Sequence, residues 1–527
     1  MNLMFYFLEI LFLSLALSVA KAQQVWTPDN GDGTFTNPIM WGDWPDPDVI
    51  RVGDDFYFVS TSMHYVPGCP IAKSKDLVNW EIVGYAVDRY DEDPRYDLKG
   101  GNLYLNGSWA NSIRYHNGKF YVFFCTPYGW GTETGHFSVC EAEKPEGPWI
   151  RTIFPDYLYD PGVLFDDDGR VYVVHGQNTL YVSELNADLK SVKSEPVEIW
   201  NKNIYNEDQK RSAAMEGSHV YKINGMYYIL CPAGGTEGWQ VCLRSKSIYG
   251  PFEHKVVFSD NSSYPPNGPH QGGMVQLKNG DWWFIIMQDR DKIGRVPCLL
   301  PVKWVDGWPM LGANGKDAVV YQKPNVGKTY KIKNPATTDE FESRRLGLQW
   351  QWNHNPDNKR WSLTERPGYM RLKASQAEDL KSARNTLTQR VQGPSSSGTV
   401  EMDVAGLKDG NVAGFGIFQF PYAYVGVQQV EGKRKVVMCN NGQIIETVVD
   451  DLKQDKVWIR ARVTDKDWTA RFYCSLDGVA FFPVGNVLNM DLGLCFTGNR
   501  FALFNYSVTE EGVDGFADFN WFRFYGK

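Results

Sequence analysis

The sequence predicts an all-β protein of two domains, a five-bladed β-propeller followed by a β-sandwich of the jelly-roll or concanavalin-like type. In the first part of the chain, a short strand, a tight turn and a second strand recur five times. In the second part, strands such as Val400-Glu401-Met402-Asp403-Val404 alternate apolar and polar residues, which is typical of a sandwich. The length of 527 residues also exceeds what one hydrophobic core usually holds.

Each copy of the repeat places a distinctive residue just before its first apolar strand. The copies start at Asp46-Pro47, Trp109-Ala110, Asp160-Pro161, Glu216-Gly217 and His270-Gln271. A repeat of about 50 to 60 residues is typical of propellers and solenoids, and closing the blades into a ring protects their edges. Equivalent points of the blades lie at the same end of the central channel. We therefore expect Asp46, Asp160, Glu216 and His270 to converge on one pocket.

The predicted organisation is a signal peptide at residues 1–22, the propeller at 23–325, a linker at 326–338 and the sandwich at 339–527. The apolar run from Leu11 to Val19 ends at Ala20-Lys21-Ala22, an A-x-A cleavage pattern. A buried N-terminal strand or helix is the alternative. We expect export to a periplasm or outside the cell. The run is too short to span a membrane, and no cysteine follows the cleavage site, so no membrane anchor is expected.

Composition narrows the possible partners. A net charge of −8 argues against nucleic acid and anionic membranes. Aromatic residues make up 14% of the chain, which suits both strand packing and stacking on sugar rings. The tryptophans between Trp350 and Trp361 predict that the sandwich packs against the propeller. We therefore expect an oligosaccharide or polysaccharide partner.

Three of the converging residues are carboxylic acids, which is the chemistry that glycoside hydrolysis requires. One carboxyl must donate a proton to the leaving oxygen while another remains ionised. Asp46 lies between two prolines and suits a base, whereas Glu216 precedes Gly217, which allows a ligand to approach closely. Asp160 is placed to orient or tune the acid. The alternative is that these residues only cap turns.

Six motifs of the first domain and two of the second resemble one known family. They are Asn37-Pro38-Ile39, Pro45-Asp46-Pro47-Asp48, Trp109-Ala110, Tyr159-Asp160-Pro161, Glu216-Gly217-Ser218-His219, Gly294-Arg295, the segment 346–356 and Trp361-Ser362-Leu363. They resemble glycoside hydrolase family 43, the β-xylosidases and α-L-arabinofuranosidases, with the family's appended C-terminal β-sandwich. The resemblance implies that Asp46 is the general base, Glu216 the general acid, and Asp160 the residue that orients Glu216 and raises its pKa.

The resemblance also implies substrate-binding roles. Arg295 would bind sugar hydroxyls and Trp109 would form part of the pocket wall. His270 would lie in the channel and orient the base or touch a cation or water. The family inverts the anomeric configuration, which requires room for a water molecule beside the base. Met63 stands where xylosidases of the family often carry a phenylalanine against the sugar, so it is a fourth substrate-binding candidate.

These features predict an exo-acting, inverting enzyme that removes non-reducing terminal α-L-arabinofuranosyl residues. The expected substrates are plant cell-wall polysaccharide side chains or oligosaccharides, including hemicelluloses such as xyloglucan or arabinoxylan. An exo-β-1,4-xylosidase is the alternative within the same class, because both sugars are pentoses with similar hydroxyl geometry. A non-catalytic carbohydrate-binding propeller is the alternative from another class.

No cofactor is expected for catalysis, although a structural calcium ion is left open. Residues 166–169 read Asp-Asp-Asp-Gly and lack the spacing of a calcium loop, so we interpret them as a hairpin turn. Glu340 and Asp518 lie near the two ends of the sandwich domain and are candidate calcium ligands. Asp48, two residues beyond the base, is interpreted as structural.

Overall fold

The computed structural model describes residues 25–129, 134–313, 315–316 and 319–526. The predicted signal peptide, 1–22, lies outside the described residues. Within them the structure is almost entirely β, and its helices are three short 3-10 turns at Pro94–Asp97, Gly235–Glu237 and Asp291–Ile293. None of the helices described could cross a membrane, because none is long and apolar enough. The predicted fold, a five-bladed propeller with a concanavalin-like sandwich, is confirmed.

The propeller consists of five antiparallel sheets of four strands each. A first short strand, β1 (Thr34–Thr36), precedes them. The blades are β2 (Asp48–Val52), β3 (Asp55–Val59), β4 (Gly68–Ser74) and β5 (Trp80–Val87); β6 (Trp109–His116), β7 (Lys119–Pro127), β8 (Gly135–Ala142) and β9 (Ile150–Phe154); β10 (Gly162–Phe165), β11 (Val171–His175), β12 (Leu180–Leu185) and β13 (Val197–Trp200); β16 (His219–Ile223), β17 (Met226–Ala233), β18 (Trp239–Ser245) and β19 (Glu253–Phe258); and β20 (His270–Gln276), β21 (Trp282–Asp289), β22 (Arg295–Val305) and β23 (Trp308–Leu311). A hairpin of β14 (Ile204–Asn206) and β15 (Arg211–Ala213) separates the third and fourth blades.

The first strand of every blade lines the channel, and the hairpin predicted in each repeat joins the first strand to the second. β2 packs beside β6 and β20, and β10 packs beside β6 and β16. A strand after the last blade, β24 (Val320–Gln322), pairs with β1 in antiparallel register and ties the two ends of the domain together. The inner strands therefore deliver their first residues to one end of the channel.

The second domain is a sandwich of two sheets, which are antiparallel except where β28 pairs with β38 in parallel. Its strands are β25 (Gln351–Trp352), β26 (Trp361–Ser362), β27 (Met370–Lys373), β28 (Ser375–Gln376), β29 (Leu387–Arg390), β30 (Ser395–Asp403), β31 (Asn411–Phe418), β32 (Ala423–Val430), β33 (Lys433–Asn440), β34 (Gln443–Val449), β35 (Lys456–Thr464), β36 (Thr469–Ser475), β37 (Phe482–Asn489), β38 (Arg500–Ser507) and β39 (Phe516–Gly526). One sheet has eight strands in the order β25-β29-β38-β31-β32-β33-β34, with β28 beside β38. The other has seven in the order β26-β27-β39-β30-β35-β36-β37. Both sheets agree with the alternation of apolar and polar residues in the sequence.

The two domains share one continuous hydrophobic core. Residues of the first two blades, such as Val66 and Ile71, belong to the same buried cluster as Trp350 and Trp352 of the sandwich. Val66 and Trp352 also exchange backbone hydrogen bonds across the boundary. Asn355 accepts from the backbone N–H of Tyr90 and donates to its carbonyl. The sandwich therefore packs on the propeller through its tryptophan-rich start.

Candidate active site

The backbone enters every blade through the same strained conformation. At the equivalent position of the five blades φ is positive, with values of 51° at Asp46, 45° at Ala110, 50° at Asp160, 61° at Gly217 and 54° at Gln271. Residues other than glycine seldom adopt this left-handed region, and such strain is concentrated at functional sites. The ring of left-handed residues marks one end of the channel, where Asp46 and Asp160 lie almost fully buried.

Both oxygens of Asp46 accept hydrogen bonds. Thr61 Oγ1 donates to Oδ2 at 2.7 Å, and Arg295 Nη1 donates to Oδ1 at 3.0 Å. Thr61 is itself held in place, because its hydroxyl accepts from the backbone N–H of Ala110 at 2.8 Å. The Asp46 carboxylate is thereby fixed in orientation, with a positive charge beside it.

Asp160 and Glu216 are the other two acids of the site, and they lie at the entrances of the third and fourth blades. Burial raises the pKa of Asp160 well above its usual range, and the neighbouring charges of Glu216 and Asp46 raise it further, while Arg295 opposes them. Burial also raises the pKa of Glu216, against the opposing effects of Arg295 and of the Gln177 amide, which donates to Glu216 Oε2 at 2.5 Å. A raised pKa favours the protonated form of a carboxyl, which is the form that a general acid requires.

Glu216 lies one position earlier in its repeat than Asp46 and Asp160 lie in theirs. The residue equivalent to the two aspartates is Gly217, whose positive φ continues the ring. The expectation that the three acids occupy equivalent positions is therefore wrong by one residue for Glu216. A Cβ on Gly217 would lie 2.8 Å from the Gln271 side chain. Glycine thus leaves the room that lets Glu216 reach the site.

Arg295 links the acids to His270. Its Nη1 binds Asp46, and its Nε lies 3.4 Å from Asp289 Oδ1. Burial lowers the pKa of Arg295, but Asp289 and Asp46 more than offset this and raise it above the ordinary value. The Nε2 of His270 lies 3.6 Å from Asp289 Oδ2, and its Nδ1 lies 2.9 Å from the carbonyl of Gly268. His270 therefore contacts Asp289, which in turn contacts Arg295, the partner of Asp46.

An apolar wall stands beside the acids. Trp109 and Met63 pack in one buried cluster, and Phe496 of the sandwich completes it from the other domain. Phe496 meets Trp109 edge to face with ring centroids 5.9 Å apart, and its ring lies 3.5 Å from the Arg295 guanidinium carbon. The site is therefore built from both domains.

Asp43 ties the loop that carries Phe496 to the strand that begins with Arg295. Its Oδ1 accepts from the backbone N–H of Arg295 at 3.0 Å, and its Oδ2 accepts from the N–H of Gly498 at 2.9 Å. A Cβ on Gly498 would lie 2.0 Å from the carbonyl oxygen of Ile293, so only glycine fits there. One buried carboxylate thus fixes the spacing of Arg295 and Phe496.

Asp48 faces the channel one layer below Asp46, Asp160 and Glu216. It accepts from Arg114 Nη1, from the Ile113 N–H and from Ser112 Oγ, and its Oδ1 lies 3.3 Å from His219 Nδ1. Burial alone would raise the pKa of Asp48, but Arg114 and His219 hold it well below its usual range. These contacts support the structural interpretation of Asp48.

The candidate calcium ligands have arginine partners. Glu340 pairs with Arg523 at 2.8 Å, whereas Asp518 pairs with Arg371 at 2.7 Å and with Arg366 at 2.9 Å. Within the described ranges, no group of three or more histidine, cysteine, aspartate or glutamate residues is arranged to hold a metal ion. A cation here would have to displace arginines, so calcium binding stays a hypothesis.

Five further side chains belong to the site and were not predicted from the sequence: Asp43, Thr61, Gln177, Asp289 and Phe496. None belongs to the repeated segment that marked the acids. Thr61 follows the second strand of the first blade, and Phe496 lies in a sandwich loop between β37 and β38. No local signal distinguishes them, because their roles arise only from the packing of distant segments.

A propeller with carboxyl groups gathered at one end of its channel, beside an arginine and an aromatic wall, defines a class of glycoside hydrolases. Residues 35–309 match the family model for glycosyl hydrolases family 43, and residues 338–525 match the β-xylosidase C-terminal concanavalin A-like domain. The chain therefore belongs to glycoside hydrolase family 43 and carries the domain found at the C-terminus of its β-xylosidases. The family resemblance noted in the sequence and the assignment to a hydrolase are confirmed.

Three comparisons define the similarity further. A β-xylosidase of Formosa agariphila is 32% identical, with 96% of this chain and 93% of the relative covered. A non-reducing end α-L-arabinofuranosidase of Bacteroides ovatus is 38% identical, with 65% of each covered. Among solved structures, a bifunctional protein of Bacteroides eggerthii is 38% identical with a TM-score of 0.84. The match covers 93% of this chain and 64% of that longer one.

Proposed function

We propose that this protein is an exo-acting, inverting glycosidase that releases one pentose at a time from the non-reducing end of hemicellulose side chains or oligosaccharides. The observation that supports this most is the placement of Asp46, Asp160 and Glu216 around Arg295 at one end of the channel. In this proposal Asp46 takes a proton from water and Glu216 gives one to the leaving oxygen. Asp160 acts through Glu216, because mutual repulsion of the two charges keeps a proton on the pair.

The two bonded oxygens of Asp46 give the base its orientation. A water molecule that approaches the anomeric carbon must meet a carboxylate lone pair in line, and rotation of the carboxylate would lose that alignment. Thr61 and Arg295 restrain this rotation from two sides. Arg295 also keeps further N–H groups that can bind sugar hydroxyls, and Trp109 and Phe496 shield this side of the site from water.

We propose α-L-arabinofuranosides as the preferred substrates, with β-D-xylosides as the second candidate. Met63 supports the first, because its flexible side chain is fully buried in the wall cluster where a rigid ring would fill space differently. The second is favoured by the long match to a β-xylosidase and by the sandwich domain, whose family model is named for β-xylosidases.

Two assays test this proposal. Values of kcat/KM on an aryl α-L-arabinofuranoside and an aryl β-D-xyloside would rank the substrates, and a higher value on the xyloside would reverse the preference. Early products from arabinoxylan should be monosaccharides only. Oligosaccharides among them would contradict exo action, and no hydrolysis of any glycoside would favour a carbohydrate-binding propeller instead.

For export, we propose that residues 1–22 are removed as a signal peptide and that the mature protein acts in the periplasm or outside the cell. The apolar run and its cleavage pattern support this. N-terminal sequencing of the protein recovered from its source would test it, with Gln23 as the expected first residue.

A further inference from the structure

The outer face of the seven-stranded sandwich sheet carries a groove of about 480 Å³. Three neighbouring strands, β39, β30 and β35, contribute side chains to it in register. One row consists of Tyr525, Ser397 and Arg462, and the next of Arg523, Thr399 and Arg460. The small residues of the central strand form the floor and the larger residues form the walls. We call this feature the arginine groove.

The groove faces solvent because alternate residues of a strand point to opposite sides of the sheet. The adjacent row, Val400, Ile459 and Phe522, lies one position beyond Thr399, Arg460 and Arg523 and is fully buried in the sandwich core. Arg462 and Arg523 are exposed, and Tyr525 exposes 47% of its surface. The face is therefore accessible to a ligand.

The guanidinium groups are held in place rather than free to move. Arg460 lies over the ring of Phe481 at 3.8 Å, and its Nε donates to Thr399 Oγ1 at 3.0 Å. Arg523 lies over the ring of Trp521 at 4.2 Å. Because stacking fixes the guanidinium planes before a ligand arrives, less entropy is lost on binding.

Nearby acids do not neutralise Arg460 and Arg462. Glu401 accepts from Lys456 at 2.7 Å, and Glu340 pairs with Arg523. In the part of the chain that the structure describes, no carboxylate lies within 4.0 Å of Arg460 or Arg462. Burial and the charge of Arg462 both lower the pKa of Arg460. A protein with a net charge of −8 thus carries a groove in which two of the three arginines, Arg460 and Arg462, have no carboxylate partner among the described residues.

We propose that the arginine groove binds a polysaccharide chain that carries carboxylate groups, as in a xylan with uronate side groups. Arginine meets a carboxylate with two parallel charge-assisted hydrogen bonds. The exposed ring of Tyr525 offers a flat surface for a sugar ring, and the Ser397 and Thr399 hydroxyls suit sugar hydroxyls. This inference rests on the proposed function in one respect, namely that the anionic polymer is taken to be a glycan. In this proposal the arginine groove keeps the enzyme on its substrate and takes no part in hydrolysis.

The test measures binding without hydrolysis. The full-length chain carrying Asp46→Asn, which silences cleavage, is run through gels that contain glucuronoxylan or the same xylan after its carboxyl groups have been reduced to alcohols. We expect the native polymer to slow migration and the reduced polymer to bind at least tenfold more weakly. Adding Arg460→Gln and Arg462→Gln should weaken binding of the native polymer at least tenfold.

A matched control removes two charges elsewhere. Lys144→Gln with Lys246→Gln, both exposed on the propeller, should leave binding within twofold. In the otherwise unaltered chain, Arg460→Gln with Arg462→Gln should keep full activity on an aryl glycoside, which shows that the fold is intact. If the chain does not bind glucuronoxylan, hydrolysis of the aryl glycoside is still measured separately, so the proposed function is not affected.

Several results would overturn the proposal. Equal binding of the reduced polymer would remove the role of the carboxylates, and equal binding by the double variant would move the site elsewhere. Tighter binding of single-stranded RNA would assign the groove to nucleic acid. A dimer in light scattering that the double variant loses would assign it to a second copy of this chain.

Discussion

Acidic residues lie at two levels of the same propeller channel, an upper layer with Asp46, Asp160 and Glu216 and a lower layer with Asp48, two residues beyond Asp46 in the chain. The surroundings of the two layers are opposite. In the lower layer Asp48 meets Arg114, His219 and a backbone N–H, and its pKa is well below the usual range. In the upper layer Asp160 faces Glu216 and Asp46, and its pKa is well above that range. The comparison teaches that a buried carboxylate stabilises the fold where cations surround it, and has a raised pKa where other acids surround it.

The largest expected effect concerns the upper layer. Asp46→Asn should lower kcat/KM on all glycosides by on the order of 10⁴-fold, because a positioned base is lost. The variant should keep its melting temperature, since the amide can still accept from Thr61 and Arg295 keeps Asp289 as a charge partner. Measuring both quantities on the same preparation checks this. Loss of activity that merely follows loss of folded protein would argue that Asp46 is structural.

In the lower layer, a substitution should lower stability and leave activity almost unchanged. Asp48→Asn should cost about 3–5 kcal/mol of unfolding free energy, because Arg114 would remain buried without its charge partner. The activity of the protein that stays folded should change little. Chemical denaturation monitored by tryptophan fluorescence measures the loss. Asp54→Asn, which removes only an exposed pair with Lys278, is the control and should leave the free energy of unfolding nearly unchanged, because solvent screens an exposed pair.

The repeated pattern explains what could be predicted from the sequence. Five copies of one motif indicated the propeller and placed Asp46, Asp160 and Glu216 at one end of its channel. Alternation indicated the sandwich. The upper and lower layers could not be told apart so easily, because the partners of Asp48 come from two other blades. Phe496 could not be predicted, since it meets Arg295 only after the two domains have packed. Asp43 could not be predicted either, since it meets Arg295 only when the first and last blades come together.

The contribution of the sandwich to the upper layer is open to a direct test. Phe496→Ala should lower kcat/KM about tenfold on aryl glycosides, because Arg295 loses the ring on which it stacks and water gains access. Steady-state kinetics measure the effect. Phe482→Ala, which truncates an exposed ring of the same domain, is the control. Equal kinetics for both variants would show that the sandwich only supports the propeller.

A smaller effect is expected from Asp160→Asn. A folded-state pKa raised above the ordinary value near 3.9 means that the native state loses stability as the pH rises through that value. The amide should therefore raise stability by on the order of 1 kcal/mol at pH 7 and not at all near pH 3. Thermal melts at both pH values measure this, with the exposed Asp156→Asn as control.

The same substitution should shift the pH profile of activity. With one acid of the pair neutralised, the remaining carboxyl of Glu216 loses its proton more readily, so the alkaline limb of kcat/KM should move to lower pH. An unchanged alkaline limb would show that Asp160 has no influence on the proton of Glu216.

The most direct test of the account compares Glu216→Gln with Asp46→Asn on two leaving groups. If Glu216 donates the proton, Glu216→Gln should lose about 10² to 10⁴-fold on a natural glycosidic linkage, and far less on a dinitrophenyl glycoside, whose leaving group needs no proton. Asp46→Asn should be equally poor on both, because water attacks whatever the leaving group is. The ratio within each variant cancels partial misfolding. If Glu216→Gln were equally poor on both substrates while Asp46→Asn recovered on the dinitrophenyl glycoside, the proposed roles of the two acids would be contradicted.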